Sequence, residues 1–326
     1  MPEFDLIELI RSRTAQSRGD VVLGIGDDAA LLKPPAGQQL VACTDTLVEG
    51  VHFPRGTAPE DIGWKSLAVN LSDLAAMGAT PAWAMLALTL PNADRRFVEA
   101  FADGFAQLAR ANAVSLVGGD TTQGPLSITV SAFGFVPESR ALLRSGARVG
   151  DAVFVTGRVG DAAAALGLIR DAGLGTRDST NQQARAELLA RLNRPEPRVA
   201  AGLALRDVAS ACIDVSDGLL ADLGHICEAS GVGAIVDADA LPLSSAMLAL
   251  FDAEQRRGFA LSGGDDYELC FTASVGRADR IAADFARLGF GAARIGRIVA
   301  EPGLRVRDAN GNAVETPRRG WQHFAP

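Results

Sequence analysis

VVLGIGDDAALL, residues 21–32, is an apolar run that rises to Gly24-Ile25-Gly26, meets two adjacent acids and resumes as a second apolar run. Two glycines let the chain turn tightly and bring backbone close to a ligand. Asp27 and Asp28 stand where such a loop meets that ligand. Adjacent carboxylates repel each other by up to about 4 kcal/mol at roughly 4 Å and an effective dielectric near 20. A cation removes that cost, so the turn reads as a holder of hard divalent metal, with further oxygens supplied from elsewhere in the chain. A solvated turn between two strands is the plain alternative. A dinucleotide fingerprint is a third, since Gly24-x-Gly26-x-x-Ala29 matches G-x-G-x-x-[GA]. Charge argues against it: pyrophosphate would meet Asp27 and Asp28, and Pro34-Pro35 breaks the following run early.

Around this turn, 326 residues suit two domains better than one. A hydrophobic content of 48% and a charged content of 21% describe a globular chain with a sizeable core. The net charge of −8 argues against nucleic acid as a partner. Lysine occurs only at Lys33 and Lys65, so arginine carries nearly all the positive charge. No targeting signal is read in the opening MPEFDLIELIRSR, and no run of about 18 apolar residues would span a membrane. Cys43, Cys212, Cys227 and Cys270 are scattered and form no C-x-x-C, which reads as buried thiols in a reducing cytoplasm. His225 and Cys227, two apart on an expected helix, face different ways and make no zinc pair.

A strand is expected over 40–43, running into Thr44-Asp45-Thr46, with His52 following in LVEGVHF. Residues 59–77 read as a helix, opened by Pro59 and closed by Gly78 and Pro81. Ile62, Leu67, Leu71 and Leu74 recur at helical spacing, and Ser66, Asn70, Asp73 and Met77 form a second stripe. Asp73 is therefore an acid set in a buried helix. Strands are expected over 82–90, 114–117 and 126–136, and a helix over 94–112. The second of these strands leads into Gly118-Gly119-Asp120-Thr121-Thr122, which repeats the glycine-then-acid device. Pro, Ser, Gly and Arg break the pattern over 137–150 and place a domain boundary there, giving domains of 1–138 and 149–326. In the second half, strands over 152–156, 211–215, 234–237, 269–272, 292–299 and 304–307 alternate with helices. Ser216 reads as the N-cap of a helix over 217–230. Alternation through both halves gives an α/β (α+β) class with two layered domains.

The acids share one kind of place. Asp27-Asp28, Asp45, Asp120, Asp214 with Asp217, and Asp265-Asp266 stand where a strand is expected to end or a glycine turn begins, and Asp73 adds one from a helix. Hard cations such as Mg²⁺ take oxygen ligands and are shared between carboxylates and substrate phosphates. Several such ions would reverse the sign of the site and admit a polyphosphate. No Gly-Lys dipeptide, H-R-D or D-F-G occurs, which excludes a Walker A loop and the protein-kinase apparatus.

GIGDDAAL, TDTLVEGVHF, LAVNLSDLAAMGA, VGGDTT with GPLSITV, RSGARVGD, IDVSDGL and SGGDDYELCF follow one another in this order. Together they resemble the thiamine-monophosphate kinase family, in the superfamily of aminoimidazole ribonucleotide synthetase and selenophosphate synthetase. The likeness runs from Phe4 to the final GWQHF. It implies transfer of a phosphoryl group from ATP onto the phosphate of thiamine monophosphate, giving thiamine diphosphate and ADP. The transfer is direct and in line, assisted by several Mg²⁺ per site and without a covalent nucleophile. The resemblance also implies a mixed-sheet N-terminal domain that binds ATP and Mg²⁺ and forms a homodimer. A C-terminal α/β domain completes the substrate site. Carried over by position, Asp28, Thr44, Asp45, Asp73, Asp120, Asp214 and Asp217 correspond to metal ligands. Gly119, Asp120, Arg144 and Ser216 correspond to ATP contacts, and His52, Asp265 and Trp321 to substrate contacts. Cys43 stands where the family often has a hydroxyl residue, leaving a backbone oxygen as its ligand atom, and Asp265 replaces a common Glu. Two rival readings stay open: another ATP-using enzyme of the superfamily, or a non-catalytic ATP–Mg sensing module.

Overall fold

The alternating stretch SITVSAFGFVP forms a strand that buries every second residue along most of its length, and it sits inside a four-stranded sheet. The computed structural model describes residues 2–170, 179–287, 289, 291–315 and 320. They divide into two units, Met1–Leu74 with Ala79–Ala141, and Ala75–Gly78 with Leu142–Pro326. The first unit runs α1 (Glu3–Thr14), β1 (Val21–Leu23), β2 (Leu31–Leu32), β3 (Gln38–Val48), α2 (Pro59–Ala76), β4 (Thr80–Leu90), α3 (Arg95–Ala111), β5 (Ser115–Gln123) and β6 (Ser127–Pro137), the last two residues of α2 lying in the second.

The strand order is β3-β6-β4-β5, with β4 and β5 parallel and the other pairs antiparallel. β3 pairs with β6 without interruption from Gln38↔Pro137 to Val48↔Ser127. That ladder carries β3 through Thr44-Asp45-Thr46, so the strand does not end at 43 as its apolar run implied. β5 likewise continues through Gly118-Gly119-Asp120, paired with Met85–Ala87 of β4. Asp45 and Asp120 are thus strand residues, not residues of terminal turns, because backbone pairing overrides a local glycine signal. α2 lies over β3, where Cys43 Sγ approaches the Asn70 carbonyl oxygen at 3.4 Å. The short β1–β2 pair packs Val21, Ala30 and Leu32 against Ala82, Trp83, Val117 and Phe135. This anchors the hairpin whose loop is the GIGDD turn.

The second unit runs β7 (Ala152–Thr156), α4 (Asp161–Arg170), α5 (Ser179–Asn193), α6 (Val199–Leu205), β8 (Ala211–Asp214), α7 (Leu219–Ser230), β9 (Gly233–Asp237), α8 (Ser245–Leu250), α9 (Ala253–Ser262), β10 (Leu269–Ala273), α10 (Ala278–Arg287), β11 (Ala292–Val299) and β12 (Gly303–Arg307). Its six-stranded sheet has the order β12-β9-β11-β7-β10-β8. The continuous apolar run AVFVT of β7 reflects burial on both faces. Val153 and Val155 join a core with Leu219, Leu223 and Ile226, while Ala152 and Phe154 join another with Leu205 and Phe285. Among the described residues, no helix is long and apolar enough to cross a membrane. All four cysteines are free thiols; Cys43 is half-buried and the other three are buried.

Candidate active site

Side chains alternate along β3. Cys43, Asp45 and Leu47 are the less exposed set, whereas Thr44 and Thr46 are exposed. Asp73 reaches the same place from α2, a half-buried acid between buried Ser72 and Leu74. Asp45 hydrogen-bonds Asp73, and burial holds the Asp45 carboxyl above the ordinary carboxylate range. Burial, reinforced by Asp73 and Asp45, also pushes the Cys43 thiol far up. Cys43 therefore offers no thiolate to an ion. The polar stripe on α2 includes Ser66 and Asn70, both buried, and the Asn70 side-chain amide donates to the Ser66 carbonyl at 3.2 Å. Thr44 turns away from this pair: its hydroxyl donates to the Val130 carbonyl at 3.1 Å and lies 2.9 Å from Ser131 Oγ.

The GIGDD turn and the glycine pair of β5 converge. Ile25, Leu86, Leu116, Gly118, Gly119, Asp120 and Thr121, with Ile7 and Ile10 of α1, line one pocket. Gly119 has φ +151°, and a β-carbon there would overlap the Leu86 main chain, so only glycine permits this approach of β5 to β4. Asp28 and Asp120 are exposed, and the bonds beside them are local: Asp28 N–H donates to Asp27 Oδ1 at 2.8 Å, and Thr121 N–H to Asp120 Oδ1 at 2.9 Å. Asp45 and Gly119 belong to one transverse row, Asp45–Val130–Leu86–Gly119. Three strand spacings separate them, roughly 14 Å, which exceeds one ion's coordination sphere. Among the described residues, no three His, Cys, Asp or Glu side chains converge on a single point. His52 is half-buried beyond the end of β3; its Nδ1 accepts the Val48 N–H at 3.0 Å, and its carbonyl accepts from Lys65 Nζ at 3.1 Å.

In the second unit, β8 ends at buried Asp214 and the chain turns through Ser216-Asp217-Gly218 into α7. The helix begins at Leu219 with Gly218 as its cap residue, so Ser216 is not the N-cap. No side chain caps the helix; a residue inside it holds the preceding turn instead. Asp222 Oδ2 accepts the N–H groups of Ser216, Asp217 and Gly218 at 3.0, 3.2 and 3.1 Å. Burial, with Asp214 and Asp217 nearby, pushes the Asp222 carboxyl up to about 8 despite those donors. The sequence signal was an acid in the first helical turn.

The loop from 263 to 268 lies on this turn. Asp265 N–H donates to the Ser216 carbonyl and Tyr267 N–H to that of Val215, both at 2.8 Å, and Val215 N–H donates to Glu268 O at 2.8 Å. Asp265 and Tyr267 have φ of +68° and +51°, and Tyr267 Oη donates to Asp265 Oδ1 at 2.9 Å. Asp265 is half-buried, but Asp266 turns inward and accepts the Gly160 N–H at 2.7 Å. Glu268, fully buried, accepts from Arg191 at 2.8 Å, Arg198 at 2.6 and 2.7 Å and Thr156 at 2.7 Å. Arg144 is exposed, and its carbonyl accepts from Ser230 Oγ of α7 at 3.4 Å. Trp321 lies outside the described residues. Gly320, which precedes it, lies against Asp217 and Ala221.

The AIR synthase related protein N-terminal domain model matches residues 26–136, and the corresponding C-terminal domain model matches residues 148–309. The fold and its acid-bearing loops thus define a protein of the AIR synthase related class. Thiamine-monophosphate kinase of Salmonella typhimurium (strain LT2) is 50% identical, covering 99% of this chain and 98% of its own. The crystal structure of thiamine-monophosphate kinase from Stenotrophomonas maltophilia K279a superposes with a TM-score of 0.88 at 52% identity, covering 96% of this chain and 98% of that one. The structure of AaThiL complexed with AMPPCP and TMP gives 0.77 at 33% identity, covering 99% and 97%. The chain belongs to the thiamine-monophosphate kinase family.

Proposed function

We propose that this chain transfers the γ-phosphoryl group of ATP to the phosphate of thiamine monophosphate, yielding thiamine diphosphate and ADP. The carrying observation is the 50% identity to the Salmonella kinase along 99% of the chain, which spans the acid-bearing loops of both units. The AaThiL complex supports the substrate pair, AMPPCP standing for ATP. An oxygen of the acceptor phosphate forms the new bond to the γ-phosphorus, and the bond from that phosphorus to the β–γ bridging oxygen breaks, with ADP leaving. The acceptor is already an anion, so no side chain has to serve as nucleophile. The work is positioning and charge neutralisation.

Mg²⁺ suits the donors, which are hard oxygens, and Asp45–Asp73 is a pair whose repulsion a cation relieves. Asp28, Asp45, Asp73, Asp120, Asp214 and Asp217, with Thr44 and Cys43 through main-chain oxygens, would hold several such ions. When bound, Mg²⁺ supplies charge neutralisation for the phosphates. Gly119, Asp120, Arg144 and Ser216 are assigned to ATP, and His52, Asp265 and Trp321 to thiamine monophosphate. Residues 1–138 form the ATP/Mg-binding and dimerising domain, and residues 149–326 complete the substrate site. The working form is a cytoplasmic homodimer. ADP release at saturating ATP and Mg²⁺ tests the reading: thiamine monophosphate is turned over and unphosphorylated thiamine is not. Equal turnover of both, or of neither, defeats it.

A further inference from the structure

We infer that Asp222 is a positioning residue for phosphoryl transfer, fixing the Ser216-Asp217 turn against which nucleotide and acceptor are aligned. The inference rests on the activity proposed above. Three consecutive backbone N–H groups in a turn each need an acceptor, from protein, water or a bound anion. Here all three converge on one oxygen of Asp222, at 3.0, 3.2 and 3.1 Å, and that side chain is 2% exposed. The amides of the turn are therefore occupied from within, leaving Ser216 and Asp217, both half-buried, to act through their side chains. The same turn holds the acceptor side, since the Ser216 carbonyl receives the Asp265 N–H at 2.8 Å. One buried carboxyl group thus sets the place of residues assigned to ATP and metal and of one assigned to thiamine monophosphate. A displacement near 1 Å in such a frame costs about 100-fold in rate.

The test compares Asp222→Ala, which removes the acceptor, with Asp222→Glu, which keeps the carboxyl group and shifts it by one methylene. Asp222→Asn keeps an acceptor oxygen and serves as the conservative rescue. Each is followed by kcat, the KM values for ATP and thiamine monophosphate, and calorimetric affinity for AMPPCP with Mg²⁺. A merely structural role lowers the active fraction, and so kcat alone. A positioning role raises both KM values and weakens AMPPCP binding, by about 10- to 100-fold in Asp222→Ala and Asp222→Glu, with Asp222→Asn recovering most of it. Should Asp222→Ala not fold, Asp222→Glu alone decides. Folded Asp222→Glu with wild-type KM values and wild-type AMPPCP affinity overturns the inference. Failure of the wild-type chain to use thiamine monophosphate strikes the proposed activity instead, and AMPPCP affinity still reports on the turn.

Discussion

Asp45 and Asp73 present two carboxyl groups, one from a strand and one from a helix, hydrogen-bonded to each other where burial disfavours charge. Without a cation, such a pair resists full ionisation. Asp73→Asn removes one charge and keeps an oxygen in place, so its melting temperature should equal or exceed that of the wild type. Turnover should nevertheless fall at least about 100-fold, because an amide is a poor ligand for a hard ion and a misplaced ion misplaces the phosphates. Thermal unfolding and kcat at saturating Mg²⁺ check both halves; a folded variant within a few-fold of wild-type turnover removes Asp73 from the site. Asp73 was legible in the sequence because an acid amid Leu71, Ser72 and Leu74 breaks a helical apolar face. Asp222 was not, because an acid in a first turn looks like an ordinary partner of the helix dipole. Only the fold shows that its carboxylate serves three amides at once.

Glu268 shows how an element is held by a buried ion-paired acid. It is fully buried at the start of the segment entering β10, clasped by Arg191 of α5 and Arg198 before α6. Gly157, at φ +55°, leaves room for that carboxylate, which a β-carbon there would overlap. Glu268→Ala would leave two guanidinium groups beside a void, at a cost of about 3–5 kcal/mol. Thermal unfolding should show a drop on the order of 10 °C, and an unchanged melting temperature would show that the cluster is not structural. In SGGDDYEL, then, Asp265 faces the Ser216 turn while Asp266 and Glu268 face inward. The sequence displayed four acids and glycines in a row without the alternation that separates them, since left-handed φ at Asp265 and Tyr267 replaces a strand's regular period. Long periodic elements were legible, as in α2 and α3. The ends of β3 and β5 were not, because partners distant in sequence set them. α9, outside the expected helices, does carry a readable signal: the capping box of Asp252 with Gln255.

At the scale of the whole molecule, the first unit leaves Thr44, Thr46, Met85 and Ala87 exposed on its sheet, and the edge strand β3 exposes Leu40. A partner subunit would cover such a face and edge. Sedimentation at micromolar protein should therefore show a species near twice 33.9 kDa, and a fully active monomer at that concentration would exclude the dimer. The order of chemical events belongs to the same scale, because it depends on donor and acceptor being bound together. A two-step route would need a side chain to carry the phosphoryl group. The Cys43 thiol is held far from ionising, and His52 Nδ1 already accepts the Val48 N–H. The acceptor phosphate is already an anion able to attack, so no carboxylate has to act as a carrier. A single in-line displacement inverts configuration at phosphorus, whereas two successive ones restore it. Transfer from ATP made chiral at the γ-phosphorus should accordingly yield thiamine diphosphate of inverted configuration. Retention would demand a phosphorylated enzyme, with one of these side chains as its carrier.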